Sequence, residues 1–111
     1  MTRHIDVLLF DGLNLLDVAG PVQAFEAANK EGQIAYDLRF VSVNAVPARA
    51  SCGLHMMPAA AFSARDAGRD LLVPGGSVDQ LSQDCDVLKI IQAYDAGAGR
   101  LISICSGALI L

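Results

Sequence analysis

Four short apolar runs, each bounded by turn-forming residues, alternate along the chain with stretches of helical periodicity. Ile5-Asp6-Val7-Leu8-Leu9-Phe10 is nearly continuous in its apolar character and stops at Asp11-Gly12, the pattern of a strand buried on both faces of a sheet. Residues 21–30 read as a helix, because a proline costs little in a first helical turn, Gly20 precedes Pro21, and Gly32 is placed to end it. Val22, Phe25, Ala28 and Asn29 then share one face, with Gln23 and Glu26 elsewhere. Residues 36–43 alternate, Tyr36, Leu38 and Phe40 against Asp37 and Arg39, before turning wholly apolar, which predicts a second strand. Residues 48–57 suit a small hairpin or two short strands around Ser51-Cys52-Gly53. Asp70-Leu71-Leu72-Val73 is a third buried strand, cut off by Pro74-Gly75-Gly76. Asp84 is a fitting N-cap for a helix over residues 84–96, with Cys85, Leu88, Ile91 and Tyr94 as its apolar stripe and Gly97 as its end. Residues 100–104 form the last strand. Apolar strands alternating with helices place the chain in the α/β class, as a doubly wound parallel sheet covered on both sides.

The length of 111 residues suits one domain, and a hydrophobic fraction of 53% is ample for a core. A net charge of −4, with Lys and Arg scattered singly, argues against nucleic-acid binding by this segment. No apolar stretch approaches a membrane span, and Asp6 within the first apolar run spoils any signal-peptide pattern, so a cytoplasmic protein with no membrane partner is expected. Cys52, Cys85 and Cys105 form no CxxC pair, and neither His4 nor His55 stands at ligand spacing from them. Neither a metal site nor a disulfide framework is expected, and no cofactor is called for. Cys52 reads as a turn residue and Cys85 as a core residue, with both histidines structural.

In a parallel doubly wound sheet, ligands and reactive groups gather at the carboxyl ends of the strands. Three segments finish there: the loop leading to Asp17, the Pro74-Gly75-Gly76 turn, and Cys105. Cys105 stands where a strand turns into a helix among Ser103, Ser106 and Gly107, the layout of a nucleophile elbow, whose small neighbours permit a strained turn. A helix N-terminus beneath it would favour the thiolate, and the Ser106 N–H with one from Gly75-Gly76 could form an oxyanion hole. Alternatively, Cys105 is a small apolar core residue. Asp17 is either a helix cap or the acid/base partner of the thiol.

The motifs "LLFDGLNLLDVAGPVQAFEAAN", "DLLVPGG" and "SICSGALIL", in that order, resemble the ThiJ/PfpI superfamily, which has the class I glutamine-amidotransferase-like, flavodoxin-like fold. Within it, "YDLRFVSVNAVPARASCGLHMMP" most resembles the domain that precedes an AraC-type helix-turn-helix module in bacterial transcription regulators, and isocyanide hydratases are the nearest enzymes. The resemblance implies that Cys105 is the elbow cysteine, Asp17 the acid that hydrogen-bonds it, and Gly76 with Ser106 the backbone donors. In the hydratases the cysteine attacks the isocyanide carbon, whereas in the regulators the same pocket senses a small-molecule effector. Members continue well beyond the elbow, so residues 1–111 are expected to be the N-terminal part of a ThiJ/PfpI-like domain, with DNA bound only through a separate C-terminal module. A chain ending at Leu111 would leave Leu101, Ile102, Ile104, Leu109 and Ile110 in need of a partner, which predicts a homo-oligomer.

Overall fold

The computed structural model describes residues 2–31, 35–77, 83–97 and 99–104. In chain order the elements are β1 (Thr2–Leu8), α1 (Leu15–Glu31), β2 (Ala35–Ser42), β3 (Ala48–Arg49), β4 (His55–Met56), β5 (Ala60–Ala61), β6 (Asp70–Val73), α2 (Cys85–Ala96) and β7 (Leu101–Ser103). Five strands form one sheet in the order β5-β2-β1-β6-β7, and every pairing in it is parallel. β1 is central: Ile5 lies opposite Leu38 of β2 and Asp70 of β6, and Val7 opposite Phe40 and Leu72. The chain therefore builds outward from β1 first on one side and then on the other, so the topological switch falls between β1 and β6.

This is the expected α/β sheet, with instructive differences at element ends. β1 begins at Thr2 because the polar Thr2-Arg3-His4 segment still pairs with β2, while Leu9 and Phe10 are buried after the strand has ended. Apolarity reports burial, whereas pairing sets the strand. The β3–β4 hairpin is antiparallel, with Ala48 opposite Met56 and Arg49 opposite His55. The two-residue β5, which pairs with the end of β2, carries no pattern long enough to announce itself.

Two helical expectations need correction. α1 starts at Leu15, not at Pro21, and Pro21 lies inside it. Proline lacks an N–H, so one rung of the ladder is missing. Burial of Val18 and packing of Leu15 on the core stabilise the turns that precede it. α2 is capped as expected, Asp84 Oδ1 accepting the Asp86 and Val87 N–H groups at 3.0 and 3.3 Å, and the Gly97 N–H closing on Tyr94 O at 3.1 Å. Its buried stripe is Val87, Ile91 and Tyr94, however, and Cys85 is exposed rather than part of the core. The i, i+4, i+7 spacing of the stripe rotates Cys85 in the first turn out of the buried face.

The core also encloses a carboxylate. Asp6, in the middle of β1, is fully buried and accepts from Arg39 Nε and Nη2 (3.0 and 2.8 Å), Arg69 Nε (2.7 Å) and the Tyr94 hydroxyl (2.6 Å). Tyr94 in turn stacks on Phe62. A charge at this depth is tolerable only when paired and hydrogen-bonded, which these three partners achieve.

Candidate functional site

The loop leaving β1 is built by backbone contacts to two neighbours. On the hairpin side, the Gly12 N–H donates to Arg49 O, the Ser51 N–H donates to Leu13 O (both 2.8 Å), and Asp11 Oδ1 accepts the Arg49 N–H at 2.9 Å. On the other side the loop lies against the turn after β6: Asn14 N–H donates to Gly75 O at 2.9 Å, Ser77 N–H to Gly12 O at 3.0 Å, and Leu13 bridges Gly76 in antiparallel fashion. This approach dictates Gly76. Its φ is +137°, and a Cβ there would lie 2.4 Å from the Gly12 carbonyl oxygen and 2.7 Å from Leu13 Cα. Only glycine combines that conformation with that proximity.

Asp17 stands in the first turn of α1, where its N–H donates to Asn14 O at 3.0 Å. Asn14, not Asp17, occupies the position before the helix. The Asp17 side chain instead reaches across the sheet edge, and Oδ2 accepts the Gly75 N–H at 3.1 Å. A carboxylate in a helix's first turn is also favoured by the helix dipole. The structure thus brings together two of the three segments that the sequence places at the carboxyl edge, Asp17 and the Pro74-Gly75-Gly76 turn. The Gly75 N–H, one of the donors expected for an oxyanion hole, is engaged by Asp17.

Cys105 and Ser106 lie outside the described residues. The last residue before them is well placed: the Ile104 N–H donates to Val73 O at 3.0 Å, beside the strand end that opens into Pro74. β7 itself runs alongside β6, with Leu71 opposite Leu101 and Val73 opposite Ser103. The histidines lie apart from this edge or in the hairpin. His4, near the start of β1, contacts Asp37 at 3.0 Å, and His55 belongs to β4. Among the described residues, no three His, Cys, Asp or Glu side chains gather as a metal site would require, and no helix is long and apolar enough to cross a membrane.

A cleft of about 220 Å³ opens at the carboxyl ends of β1 and β2, lined by Leu9, Phe10, Asp11 and Ser42 among others. The sequence holds no motif for it, because its walls come from segments that only the sheet order brings together.

A known family's pattern matches residues 3–111, a span that takes in the central parallel sheet, the β1–α1 loop and the glycine turn that receives it. The chain belongs to the DJ-1/PfpI family. It is 38% identical over 98% of its length to an uncharacterized protein in the cpoL 5′ region of Streptomyces lividans, covering 77% of that protein. It is 31% identical over its whole length to the isonitrile hydratase of Pseudomonas putida, of which it covers 47%. Among solved structures it resembles a ThiJ/PfpI family protein from Pseudomonas syringae, with a TM-score of 0.83, 25% identity, and coverage of 100% of this chain and 45% of that one. A "putative transcriptional regulator protein" from Vibrio parahaemolyticus shares the fold at a TM-score of 0.79 and 17% identity, over 99% of this chain and 60% of that one. The chain thus spans about half the length of the hydratase and of the Pseudomonas syringae protein.

Proposed function

We propose that this DJ-1/PfpI chain is the ligand-sensing part of an AraC-type transcription regulator, with DNA contacted by a helix-turn-helix module outside these 111 residues. The observation that carries the reading is the segment "YDLRFVSVNAVPARASCGLHMMP", residues 36–58, with its resemblance to the domain preceding that module. This segment builds β2, the turn after it and the β3–β4 hairpin, which flank the carboxyl edge where a ligand would sit. The acidic net charge fits a domain that leaves DNA contact to another part of the protein. In this reading Cys105, Asp17, Gly76 and Ser106 line a sensing pocket, and the molecule works as a homo-oligomer in the cytoplasm.

A second reading, a cysteine-dependent hydratase, is favoured by the 31% identity to isonitrile hydratase along the whole chain. The Cys105 thiolate would add to the terminal carbon of an isocyanide, with Asp17 moving the proton to the new imidoyl group. Water would then add to that carbon, and loss of the thiol would release an N-substituted formamide, so that R–NC and H2O become R–NH–CHO. The test is to incubate the intact protein with cyclohexyl isocyanide and measure N-cyclohexylformamide, in parallel with binding to DNA from upstream of its own gene. The regulator reading expects specific DNA binding and no formamide above the Cys105→Ala background. Multiple turnovers that vanish in Cys105→Ala, without DNA binding, would replace it with the hydratase.

A further inference from the structure

The cleft at the ends of β1 and β2 is distinct from the Asp17–Gly75 contact: neither residue is among those lining it. Its inner wall is apolar and buried, formed by Leu9, Phe10 and Ala48, with Val43 beside them. Asp11 and Asp84 also line it, and no Lys, Arg or His does so among the described residues. Each of these carboxylates uses Oδ1 for backbone N–H groups, Asp11 for Arg49 and Asp84 for Asp86 and Val87, and Oδ2 takes no hydrogen bond among the described residues. Arg49, the nearest cation in sequence to the wall residue Ala48, extends its guanidinium toward Gly53 in the hairpin turn. The α2 N-terminus opposes the two carboxylates, but it carries only about half a positive charge against two full negative ones. The cleft therefore stays negative beside an apolar wall.

We infer that this cleft binds a small apolar cation, an alkyl- or arylammonium, with its hydrocarbon body against Leu9, Phe10 and Ala48 and its ammonium group toward Asp11 and Asp84. A volume of about 220 Å³ lies below the ~300–1,000 Å³ typical of sites for drug-sized ligands, so the cation is smaller than those. The loop above the cleft is already shaped. Asn44 and Ala45 are both left-handed (φ +55° and +56°), and the Ser42 hydroxyl donates to Val46 O across them. Alanine rarely adopts that conformation, so the surrounding contacts must hold it. As the effector class, this inference rests on the ligand-sensing reading, whereas binding of the cation does not.

The experiment uses the intact protein with benzylammonium as probe and benzyl alcohol and benzoate as its neutral and anionic counterparts, followed by amide chemical shifts and calorimetry. Benzylammonium is expected to shift amides at residues 9–11 and 46–49 and to bind more tightly than either counterpart. The double variant Asp11→Asn, Asp84→Asn keeps an oxygen for each backbone N–H and an equally good N-cap, so its melting curve should stay near that of the wild type. It should bind benzylammonium roughly 10-fold more weakly, the size of two partly screened ion pairs. Equal binding of all three probes, an unchanged affinity in the double variant, or shifts confined to the Asp17–Gly75 region would overturn the assignment. Binding with the expected shifts but without any change in DNA affinity supports the site and counts against the regulator.

Discussion

Two aspartates, one within β1 and one in the first turn of α1, make different uses of a carboxylate. Asp6 is a buried charge whose partners lie 33, 63 and 88 residues away, in β2, before β6 and in α2. No local pattern in the sequence could foretell them, which is why Asp6 reads there only as a flaw in an apolar run. Tyr94 is part of the arrangement: burial, then its bond to Asp6, push the phenol well above its ordinary range, so it remains a donor at any working pH. Tyr94→Phe keeps the ring on Phe62 and removes only that bond to a buried charge, and it should cost about 1.5–3 kcal/mol in urea unfolding. Asp6→Ala strips Arg39 and Arg69 of their shared partner and should cost about 3–5 kcal/mol. Asp17, by contrast, stands out in the sequence through its motif, but its bond to Gly75 does not, because 58 residues separate them. Asp17→Asn retains an oxygen for the Gly75 N–H and should change stability by less than ~0.5 kcal/mol, whereas Asp17→Ala should lose about 1–2 kcal/mol. If both substitutions slow Cys105 alkylation equally, the carboxylate itself acts on the thiol. If only Ala does so, Asp17 works through the turn.

At the scale of elements, periodicity located the pieces and tertiary contacts moved their ends. α1 is the clearest case: Gly20-Pro21 looks like a helix start, yet the helix extends six residues further back because Leu15 and Val18 have a core to pack against. α2, with a capping aspartate and an interior free of Gly and Pro, was legible almost to the residue. Its face departs from the expected stripe at Cys85, which is exposed, because a small sulfur side chain in the first turn suits either environment. Two glycines now separate by context. Gly20 sits inside α1, and a Cβ there would meet nothing within 4 Å. Gly20→Ala should therefore stabilise the protein by about 0.5–1 kcal/mol, since it removes backbone freedom from the unfolded chain at no steric cost. Gly76→Ala would place a methyl into the Gly12 carbonyl and the Leu13 backbone at a left-handed φ. It should destabilise by more than about 2 kcal/mol and release the β1–α1 loop, read as faster amide exchange at Leu13 and Asn14. Equal effects of the two substitutions would mean that the loop–turn contact contributes nothing.

Across the whole molecule, the two ends of the parallel sheet have different work. The carboxyl end carries the glycine turn, the hairpin and the cleft, and the sequence revealed it only in part, since the motifs mark Asp17 and Pro74-Gly75-Gly76 whereas the cleft depends on strand order. The amino end is tied by one buried carboxylate, Asp70 at the start of β6. It accepts three bonds from Arg3 of β1 at 2.8–3.1 Å and the Arg100 N–H just before β7 at 2.8 Å, so one side chain links three neighbouring strands. Burial alone would raise its pKa, but the Arg3 bonds, the Arg100 N–H and the two guanidinium charges outweigh it and hold the carboxyl below its usual value. A group whose pKa is lowered by folding adds stability that is fully present above the unfolded-state value and is lost as the pH falls through that value and then through the folded one. For Asp70 the loss begins near the ordinary aspartate value of about 4 and continues below it. Stability from urea titrations should therefore fall as the pH drops from about 5 toward 2, and Asp70→Asn should be less stable than the wild type at pH 7. In Asp70→Asn that fall should also be shallower, with the two stabilities converging in acid. Arg3→Gln should reproduce part of the same flattening, because it removes the larger set of bonds that keep Asp70 ionised. Parallel pH profiles for wild type and Asp70→Asn, offset by a constant amount, would show that the amino-end clamp acts through packing and not through the charge of Asp70.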